Sequence, residues 1–557
     1  MTMPRKVFIS FLGTSYYKHC EYTKDGQSWG RTRYIQEATF RYLSSREEWN
    51  AADRILILLT KQAEMMNWND GGQIDKDTKE PFVGLASCLS QFKPVQVDTL
   101  RFLPEGVDEG EIWTLFSRIY DYLQEGDNLY FDITHGFRYL PMLVLTLGNY
   151  AKFLKKVEVR SISYGNWEIS QNGERPAPII DLMPLSALQD WTYAAGQILE
   201  NGNANELFKL SRGEYMPLLQ ASQGRDGQAQ ILKNFADSLK HLVDDCRSCR
   251  GLSIMEGKTI SLMRNALQSL PESTLRPYYP IFQKIAESFE PFSGDSDPLN
   301  GFHVAKWCFE KGLYQQAATY LEEAILYHCC LDFNLDPLAQ QSQRLISGAF
   351  DYAANRKNHK SEKTKEDYSV IQKGIGEILS ERYEALITPY AELRETIRND
   401  FNHAGIRKDP RSGKTLIQRL GQLVEIIPPI FLKEAHSRKP VFVNISNHPS
   451  GYWSEKQLAA AKAYGEIIDV DFPSVDPEAD EERIKAIADN FVKDYLHFLP
   501  SECTFHIMGE MTLTHRLINM LKLLGFRCLA STTKRRVRYG ENGEKIVDFD
   551  FIQFREY

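Results

Sequence analysis

The 557-residue sequence lacks any apolar run long enough to span a bilayer. Its first residues, Met1 to Lys6, lead straight into a strand-like stretch, without the hydrophobic segment of a signal peptide. We therefore expect a cytoplasmic protein that does not enter a membrane. The nine cysteines are irregularly spaced, which excludes the disulfide framework of a small secreted domain. Cys246 and Cys249 form a lone CxxC without a second pair at zinc-site spacing, so we expect buried thiols and no bound metal.

The chain also lacks an excess of basic residues. Its formal net charge is −8, which argues against a protein that coats nucleic acid, although it leaves room for a small basic groove that handles RNA locally. No GxxxxGK[ST] loop, HExxH pair or EF-hand loop is present, so nothing predicts a nucleotide triphosphatase, a zinc protease or a calcium site. We expect no cofactor. A chain of this length is expected to form about three domains.

Residues 1–185 alternate short apolar, β-branched runs with helical stretches. This alternation predicts a mostly parallel, doubly wound, Rossmann-like sheet. The helix that matters most for the site is Leu140–Lys155, which follows a strand almost at once. The predicted strands are Lys6–Leu12, Arg54–Thr60, Pro94–Thr99, Asn128–Ile133 and Val157–Tyr164, the last of which closes the series.

Residues 186–435 show no convincing strand, and their amphipathic periodicity predicts an all-helical domain. The predicted helices are Leu188–Leu210, Gln228–Cys246, Phe302–Cys330, Gln340–Asn355, Tyr368–Ala404 and Thr415–Phe431.

Residues 436–557 return to alternating strands and helices and predict a second, smaller α/β Rossmann-like domain. A strand over Arg527–Ser531 is followed by a predicted β-hairpin over Val537–Phe554, with its turn at Asn542–Gly543, where both residues tolerate a positive φ. The other predicted elements are Pro440–Ile445, Ser454–Tyr464, Ile467–Val470, Glu481–Leu496, Thr504–Met508 and Leu513–Leu524.

A first cluster of polar residues, Asp132-Ile-Thr-His-Gly-Phe-Arg138, lies where a predicted strand ends and a helix begins. Ligands of open α/β sheets bind beyond the carboxyl ends of the strands, and a helix N-terminus there offers N–H groups to phosphate. Thr134 and His135 add donors, Gly136 permits close backbone approach and Arg138 adds charge. The loop after the first strand, Gly13-Thr14-Ser15, is expected beside the same crevice. A helix cap with a core histidine fits these residues equally well.

The run DITHGFR resembles the DxTHG motif of a family of CRISPR-associated proteins that carry a CARF domain. The alternation of strands and helices in residues 1–185 and the Gly-Thr loop are similar to that family as well. The resemblance implies a symmetric dimer whose pocket binds a cyclic oligoadenylate, with cyclic tetra-adenylate the expected activator and cyclic hexa-adenylate the alternative. It makes Gly13, Thr14, Ser15, Asp132, Thr134, His135, Gly136 and Arg138 the candidate ligand-binding residues.

A second cluster, Arg398-Asn-Asp-Phe-Asn-His403-Ala-Gly405, ends a predicted helix at a helix-stopping glycine. On a regular α-helix the Arg398 and His403 side chains point about 140° apart, although a long arginine can reach across. Histidine moves protons near neutral pH, arginine stabilises charge that builds on a phosphate, and Asn399 can orient either partner. On the spacing alone, an exposed arginine and a histidine that meets the helix dipole are the better explanation.

The run RNDFNHAG resembles the R-x4–6-H motif of HEPN ribonucleases, and its place after a CARF-like domain is similar to the CARF–HEPN arrangement. The resemblance implies a metal-independent endoribonuclease that cleaves single-stranded RNA to a 2′,3′-cyclic phosphate. Arg398, Asn399 and His403 are then the catalytic candidates, and two copies from a homodimer, or a higher even oligomer, form one composite cleft.

A third set of polar residues follows three predicted strands of the last domain. Asn444–His448, Met508–His515 and Ser531–Arg536 gather at one sheet edge if those strands are parallel neighbours. The pattern is similar to small Rossmann-like CRISPR ring nucleases, which open cyclic oligoadenylates and would make the protein self-limiting. The candidates are Glu510, His448, His515, Arg535 and Arg536. Polar strand-end loops beside a solvated basic hairpin are the alternative.

Two other functions remain open from the sequence. The chain could be a cyclic-nucleotide-controlled binding or regulatory protein without nuclease activity, because CARF domains are also fused to DNA-binding modules. Residues 436–557 could form an interaction or dimerisation module. Arg398 and His403, in a helical domain without a helix-turn-helix or a strong basic bias, favour the ribonuclease.

Overall fold

The computed structural model of the protein describes residues 4–171, 173–270, 277–357, 368–406, 408–437, 439–539 and 544–557. The chain divides into two units, Met1–Thr192 and Tyr193–Tyr557. None of the helices in these described ranges has both the length and the apolar composition needed to cross a membrane.

The first unit is built on an eight-stranded sheet in the order β3-β2-β8-β7-β6-β1-β4-β5. Strands β7, β6, β1, β4 and β5 are parallel, which confirms the predicted Rossmann-like sheet. The strands are β1 (Lys6–Leu12), β2 (Cys20–Lys24), β3 (Gln27–Thr32), β4 (Arg54–Leu59), β5 (Gln96–Leu100), β6 (Asn128–Asp132), β7 (Glu158–Gly165) and β8 (Ala177–Asp181).

Helices cover both faces of this sheet because alternate residues of its buried strands point to opposite sides. On β1, Val7 and Ile9 pack in one apolar cluster with Leu147, whereas Phe8 packs in the other with Phe40. The helices of the unit are α1 (Ile35–Arg46), α2 (Lys61–Ala63), α3 (Leu85–Leu89), α4 (Glu109–Tyr122), α5 (Leu140–Lys155) and α6 (Met183–Asn201, which runs into the second unit). A π-helical turn, Glu64–Trp68, follows α2.

The sheet extends beyond the predicted strands at one edge. The expectation that Val157–Tyr164 closes the series is wrong, because β8 pairs antiparallel with β7 and the hairpin β2–β3 follows it. The hairpin strands read CEYTK and QSWGRT, so they lack the continuous apolar run by which the buried parallel strands are recognised.

The second unit begins with helices. Two predicted long helices are each two helices in the structure, because the chain takes a positive φ at Gly202 (59°) and at Gly312 (72°). The helices are α7 (Asn205–Ala221), α8 (Gly227–Arg247), α9 (Gly251–Met255), α10 (Lys258–Ser269), α11 (Tyr279–Glu287), α12 (Asn300–Glu310), α13 (Tyr314–Asp332), α14 (Gln340–Lys357), α15 (Val370–Arg382), α16 (Glu384–Ala391), α17 (Asn399–Asn402) and α18 (Gly413–Ser437).

The predicted helix Tyr368–Ala404 is also interrupted. It ends a first time at Tyr383, and the chain is π-helical from Glu392 to Arg398 before α17 resumes the α-helical pattern. A π-helical segment is invisible to a 3.6-residue periodicity, and such segments are frequent at functional sites.

The second unit ends in a five-stranded sheet in the order β10-β9-β11-β12-β13. The first four strands are parallel, and β13 runs antiparallel to β12. The elements are β9 (Val441–Ser446), α19 (Glu455–Lys462), β10 (Glu466–Val470), α20 (Glu481–Lys493), β11 (Cys503–Met508), α21 (Met511–Leu523), β12 (Arg527–Tyr539) and β13 (Lys545–Glu556).

Strand β12 is longer than predicted. It continues from Arg527 to Tyr539 and pairs with β13 from Leu529 to Tyr539, with a bulge between Thr532 and Thr533. The expectation of a strand that ends at Ser531, followed by a loop and a separate hairpin, is therefore wrong. The predicted turn at Asn542–Gly543 lies outside the described residues.

Buried polar contacts attach this sheet to the helices of the same unit. Arg382 of α15 forms an ion pair with Glu502, and its Nη1 donates to the His497 carbonyl at 3.1 Å. The side chain of Glu502 is only 5% exposed. Nearby, Asn334 donates to the carbonyls of Pro500 and Gly525, both at 3.0 Å. The helices and the sheet are thus joined by more than their connecting chain.

Removing the cation of the buried pair should destabilise the second unit. We expect Arg382→Met to lower the free energy of unfolding by about 3 kcal/mol, because the buried carboxylate loses its partner. Urea unfolding followed by tryptophan fluorescence measures the change. Arg483→Met is the matched control, since Arg483 pairs with Asp476 in solvent and such pairs contribute less than about 1 kcal/mol. Equal losses in the two variants would contradict the role of the buried pair.

Candidate functional site

In the first unit, a cavity of about 350 Å³ opens where β1 and β6 end. The two strands are parallel neighbours with Ser10 opposite Asp132, so the loops that follow them emerge side by side. Six of the predicted ligand-site residues line this one cavity, as the crevice argument expected. They are Gly13, Thr14, Ser15, Thr134, His135 and Gly136.

The Gly13–Ser15 loop is held by side chains that the sequence analysis did not single out. Buried Asn67 donates from Nδ2 to the carbonyls of Gly13 and Ser15, at 2.8 and 3.0 Å. The hydroxyl of Tyr17 accepts the Gly13 N–H at 3.0 Å. A Cβ on Gly13 would lie 2.7 Å from that hydroxyl, so a larger residue would displace either the loop or Tyr17.

Asp132 lies behind the cavity and organises it. Its buried carboxylate accepts from Ser10 Oγ at 2.7 Å and from Thr134 Oγ1 at 2.5 Å. Burial raises the pKa of Asp132, and the hydrogen bonds from Thr134 and Ser10 act in the opposite direction. Thr134 Oγ1 in turn accepts the N–H of Gly165 at 2.8 Å, which ties the motif to β7. The arrangement makes Asp132 a positioning residue rather than a surface of the cavity.

His135 is the member of the motif with an unsatisfied polar atom. Its Nε2 is buried, and no described residue forms a hydrogen bond with it. The ring lies against Tyr17, with 4.4 Å between the ring centroids. Burial lowers the pKa of His135 to about 4, so the imidazole is neutral at physiological pH. A buried polar atom without a partner is costly, and a bound ligand is one means of satisfying it.

The end of the motif turns outwards. Gly136 has a φ of 122°, and a Cβ there would lie 2.2 Å from Leu140 Cδ1, so the position requires glycine. Arg138 is exposed and does not line the cavity. Its charge therefore does not contribute to the lining of the cavity.

In the second unit, Arg398 closes the π-helical segment and is held by acidic side chains of α13. Its Nε lies 2.9 Å from Glu322 Oε2, and its Nη2 lies 3.9 Å from Glu323 Oε1. The Nε contact is an ion pair without an aligned hydrogen bond. Glu322 is nearly buried, and burial raises its pKa although Arg398 opposes that shift. The guanidinium is thus oriented and remains about one-third exposed.

His403 lies immediately after α17 and is exposed. The next two residues, Ala404 and Gly405, both have positive φ values, 53° and 68°, so the chain reverses at once. The separation of about 140° between Arg398 and His403 assumed that both lie on one regular α-helix, and the structure does not show such a helix. Arg398 ends the π-helical segment, and the chain reverses directly after His403.

In the last sheet the predicted residues separate into two groups. His448 and Glu510 follow β9 and β11, which are parallel neighbours, so both lie at the carboxyl edge as expected. Glu510 caps α21 by accepting the N–H groups of Thr512 and Leu513. His515 lies on the outer side of α21, 3.0 Å from Asn519.

The remaining two candidates lie in the middle of a strand. Arg535 and Arg536 are exposed on the long β12–β13 ribbon, and Arg536 pairs with Asp550. Their expected position in a strand-end loop is wrong because β12 continues past Ser531.

The same sheet contains a hydrogen-bonded group that the sequence analysis missed. His506 of β11 is buried, with Nδ1 2.7 Å from Asn444 Oδ1 and Nε2 2.8 Å from Ser531 Oγ. Asn444 Nδ2 donates to Asp469 at 2.7 Å. A histidine inside the apolar run CTFHIM was the only available signal. Within the described ranges, no group of three or more His, Cys, Asp or Glu side chains could hold a metal ion.

Comparisons with known proteins assign parts of the chain. Residues 7–167 match the family model described as the CARF domain of the CRISPR system endoribonuclease Csx1. Residues 440–555 match the model of the uncharacterized protein MJ1673 family.

A curated relative and a solved structure were also found. The relative, the CRISPR-associated protein MJ1674 of Methanocaldococcus jannaschii, is 22% identical over 387 residues, which are 68% of this chain and 54% of the relative. The chain thus spans about half the length of the relative. Enterococcus italicus Csm6 bound to cyclic hexa-2′-fluoro-hexa-dAMP is 12% identical, covers 83% of this chain and 98% of its own, and has a TM-score of 0.34. So low a score supports no conclusion about this chain.

The match of the family model agrees with the Rossmann-like sheet and with the position of the DITHGFR motif at its edge. Residues 7–167 are therefore similar to a CARF domain of the Csx1 type.

Proposed function

We propose that this protein is a cyclic oligoadenylate-activated endoribonuclease of type III CRISPR antiviral defence, which acts in the cytoplasm without a metal ion or cofactor. The observation that carries the proposal is Arg398, which the buried Glu322 holds, followed five residues later by the exposed His403, in a chain whose first unit matches a CARF domain. The relative's description as CRISPR-associated supports the same setting.

The chemistry needs only the side chains present. His403 takes a proton from the ribose 2′-hydroxyl or gives one to the leaving 5′ oxygen, and Arg398 stabilises the charge that develops on the phosphate. The carboxylates of Glu322 and Glu323 fix the position of the guanidinium, while its remaining N–H groups stay available to a phosphate. Asn399 orients the phosphate or the histidine. The product carries a 2′,3′-cyclic phosphate.

The activator is a cyclic oligoadenylate, with cyclic tetra-adenylate the proposed ring. The loop Gly13–Ser15 and the motif residues Thr134 and His135 line the cavity with hydroxyl and backbone groups, and the exposed Arg138 follows the lining residue Phe137 in sequence. The buried Nε2 of His135 supports a ligand contact at the floor of the pocket, because nothing described in the chain satisfies it.

The active form is a homodimer or a higher even oligomer. One face of α5 carries exposed apolar side chains at positions 142, 150 and 153, where Met142 is 71% and Phe153 84% exposed. These residues recur at helical spacing, so they form one stripe. An apolar stripe on the helix that follows the cavity motif supports pairing of two CARF domains around a ring with two-fold symmetry, which brings two Arg398–His403 sets into one cleft.

The C-terminal domain, residues 436–557, is proposed to open the activator and so to limit the response. The observation that favours this second function is the hydrogen bond between Ser531 and the buried, neutral His506 at the carboxyl edge of a parallel sheet. The alternatives are an interaction module and, for the whole chain, a ligand-controlled DNA-binding protein without nuclease activity. Tight duplex binding in a gel shift, with no loss of RNA, would favour that last alternative.

Cleavage of a fluorogenic single-stranded RNA in the presence of a metal chelator tests the main proposal. Each cyclic oligoadenylate is added in turn, and we expect a signal with cyclic tetra-adenylate. A signal only with cyclic hexa-adenylate would make that ring the activator and would still support the ribonuclease proposal. If no ring produced a signal, the ribonuclease proposal would be wrong.

His403→Ala should reduce this RNA cleavage by at least about 100-fold, because the variant cannot transfer the proton. Binding of the activator, measured by calorimetry, should not change. His241→Ala is the matched control, since His241 is an exposed histidine of the helix α8. RNA cleavage at the wild-type rate by His403→Ala would remove this residue from the mechanism.

His135→Ala should weaken the binding of cyclic tetra-adenylate by about 10- to 100-fold, since a hydrogen bond to a charged group contributes about 1.5–3 kcal/mol. Isothermal titration calorimetry measures the affinity. His19→Ala is the control, because His19 is exposed and outside the cavity lining. An unchanged affinity of His135→Ala would show that Nε2 does not contact the ligand.

Phe153→Glu should separate the subunits, because two-fold pairing would bury a carboxylate on each of two facing helices. We expect the mass measured by light scattering to fall towards that of a single chain, and ligand-dependent RNA cleavage to fall with it. Val370→Glu, at an equally exposed apolar residue in the first turn of α15, should leave the mass unchanged. An even oligomer in the Phe153→Glu variant would place the interface elsewhere.

A further inference from the structure

Four polar side chains form a continuous hydrogen-bonded row across the last sheet. They come from four adjacent strands: Asp469 from β10, Asn444 from β9, His506 from β11 and Ser531 from β12. Asp469 and His506 are the two cross-strand neighbours of Asn444, and the His506–Ser531 contact continues the row. The three contacts measure 2.7, 2.7 and 2.8 Å. A row of this kind fixes the orientation of each member by its neighbours.

The hydrogen-bond partners of Asn444 determine which atoms of the row donate a hydrogen bond and which accept one. Its Nδ2 faces the Asp469 carboxylate and the His448 carbonyl, which can only accept hydrogen bonds. The amide oxygen must therefore face His506, whose Nδ1 carries the proton. The lone pair on His506 Nε2 is then left to accept the hydroxyl proton of Ser531.

Ser531 is held so that its proton points this way. Its Oγ lies 3.3 Å from Gln457 Nε2, which is only a donor. The hydroxyl therefore accepts from Gln457 and donates to His506. Ser531 is also partly exposed, whereas Asn444 and His506 are buried. At this end of the row, Ser531 is therefore the member that is open to solvent.

The surroundings keep His506 uncharged. Phe442, Trp453 and Phe554 pack around its ring, with centroids 6.0, 5.5 and 5.3 Å away. Burial, with a smaller contribution from His448, lowers the pKa of His506 to about 4. At neutral pH the imidazole is thus a free base, and an anionic substrate beside it would increase its basicity.

The charges near the serine favour a phosphate ligand. Lys534 and Arg535 follow Ser531 on β12, and both are exposed. His448 lies in the loop after β9. Three hydrogen bonds hold this loop in place, because the His448 carbonyl accepts from Asn444, Ser446 and Trp453. A hydroxyl that is hydrogen-bonded to a neutral imidazole offers a proton acceptor, and the cations further along the same strand offer positive charge; both assist cleavage of a phosphodiester with an adjacent 2′-hydroxyl.

We propose that Ser531 and His506 are the proton acceptor for opening a ring of 3′–5′-linked adenylates, with Asn444 and Asp469 as positioning residues. The substrate 2′-hydroxyl gives its proton to Ser531 Oγ as the serine proton passes to His506 Nε2. The 2′ oxygen bonds to the adjacent phosphorus, and the bond from phosphorus to the 5′ oxygen breaks. The leaving 5′ oxygen takes back a proton through the same pair. The product is a linear oligoadenylate with a 2′,3′-cyclic phosphate and a 5′-hydroxyl, and no water is consumed.

This assignment rests on the proposed opening of the activator by the C-terminal domain. The test is to incubate the full chain with cyclic tetra-adenylate or cyclic hexa-adenylate, without RNA. Chromatography measures how fast each ring disappears. We expect Ser531→Ala to slow ring opening by at least about 100-fold, and Ser531→Thr, which keeps a hydroxyl, to remain within about tenfold of the wild type. Thr533→Ala, at an exposed residue of the same strand, is the matched control and should not change the rate.

The possible outcomes distinguish a wrong assignment of Ser531 and His506 from a failure of the ring-opening proposal itself. If the wild type opens a ring and Ser531→Ala is slow at an unchanged melting temperature, the relay is supported. If Ser531→Ala opens the ring as fast as the wild type, the relay is wrong and the opening reaction belongs to another part of the chain. If the wild type leaves both rings intact, the proposed opening of the activator is itself overturned.

Discussion

The parallel pairing of strands is the constraint on which both candidate ligand sites depend. Parallel strands all end at the same edge of a sheet, so the residues after them are collected without being near in sequence. In the first sheet this places the Gly13–Ser15 loop beside the DITHGFR motif, with Ser10 and Asp132 in register behind them. In the last sheet it aligns Asn444 and His506 across β9 and β11.

Each of these edges holds a buried neutral histidine, but the two histidines differ in how they are satisfied. His135 has a ring nitrogen that no described residue reaches, whereas both ring nitrogens of His506 have partners. A buried donor or acceptor without a partner is stabilised by whatever ligand supplies one, which suits a sensor. A histidine with a fixed tautomer and a hydroxyl on its free lone pair is suited to moving a proton. Under the proposed functions, the same burial serves binding in one domain and chemistry in the other.

Sequence patterns predict the parts of this structure that bury continuous apolar runs. Strands such as Lys6–Leu12 and Arg54–Leu59 were expected almost to the residue, because both of their faces are covered. The hairpin β2–β3 was missed because its strands are polar, and the π-helical segment before Arg398 has no signature in a 3.6-residue period. The DITHGFR motif could be recognised from the sequence because its residues are contiguous.

The residues that the sequence could not reveal act across the fold. Asn67 holds the Gly13–Ser15 loop from more than fifty positions away, and the row from Asp469 to Ser531 requires four strands in one order. Only pairing and register determine such contacts, and a single sequence does not contain them. The long strand β12 is a related case: its polar residues read as a loop, but pairing with β13 keeps them extended.

Under the proposed functions, a sensor and a ring-opening site in one chain have a kinetic consequence. Two separate proteins could vary in ratio, so the duration of a response would depend on their expression. In a single chain the CARF cavity and the Ser531 site occur in equal numbers, so the ratio of sensing to ring-opening sites does not depend on expression. An activator molecule held in the CARF cavity cannot be opened at the Ser531 site at the same time. The faster the activator leaves the cavity relative to ring opening, the more evenly the whole pool of activator decays.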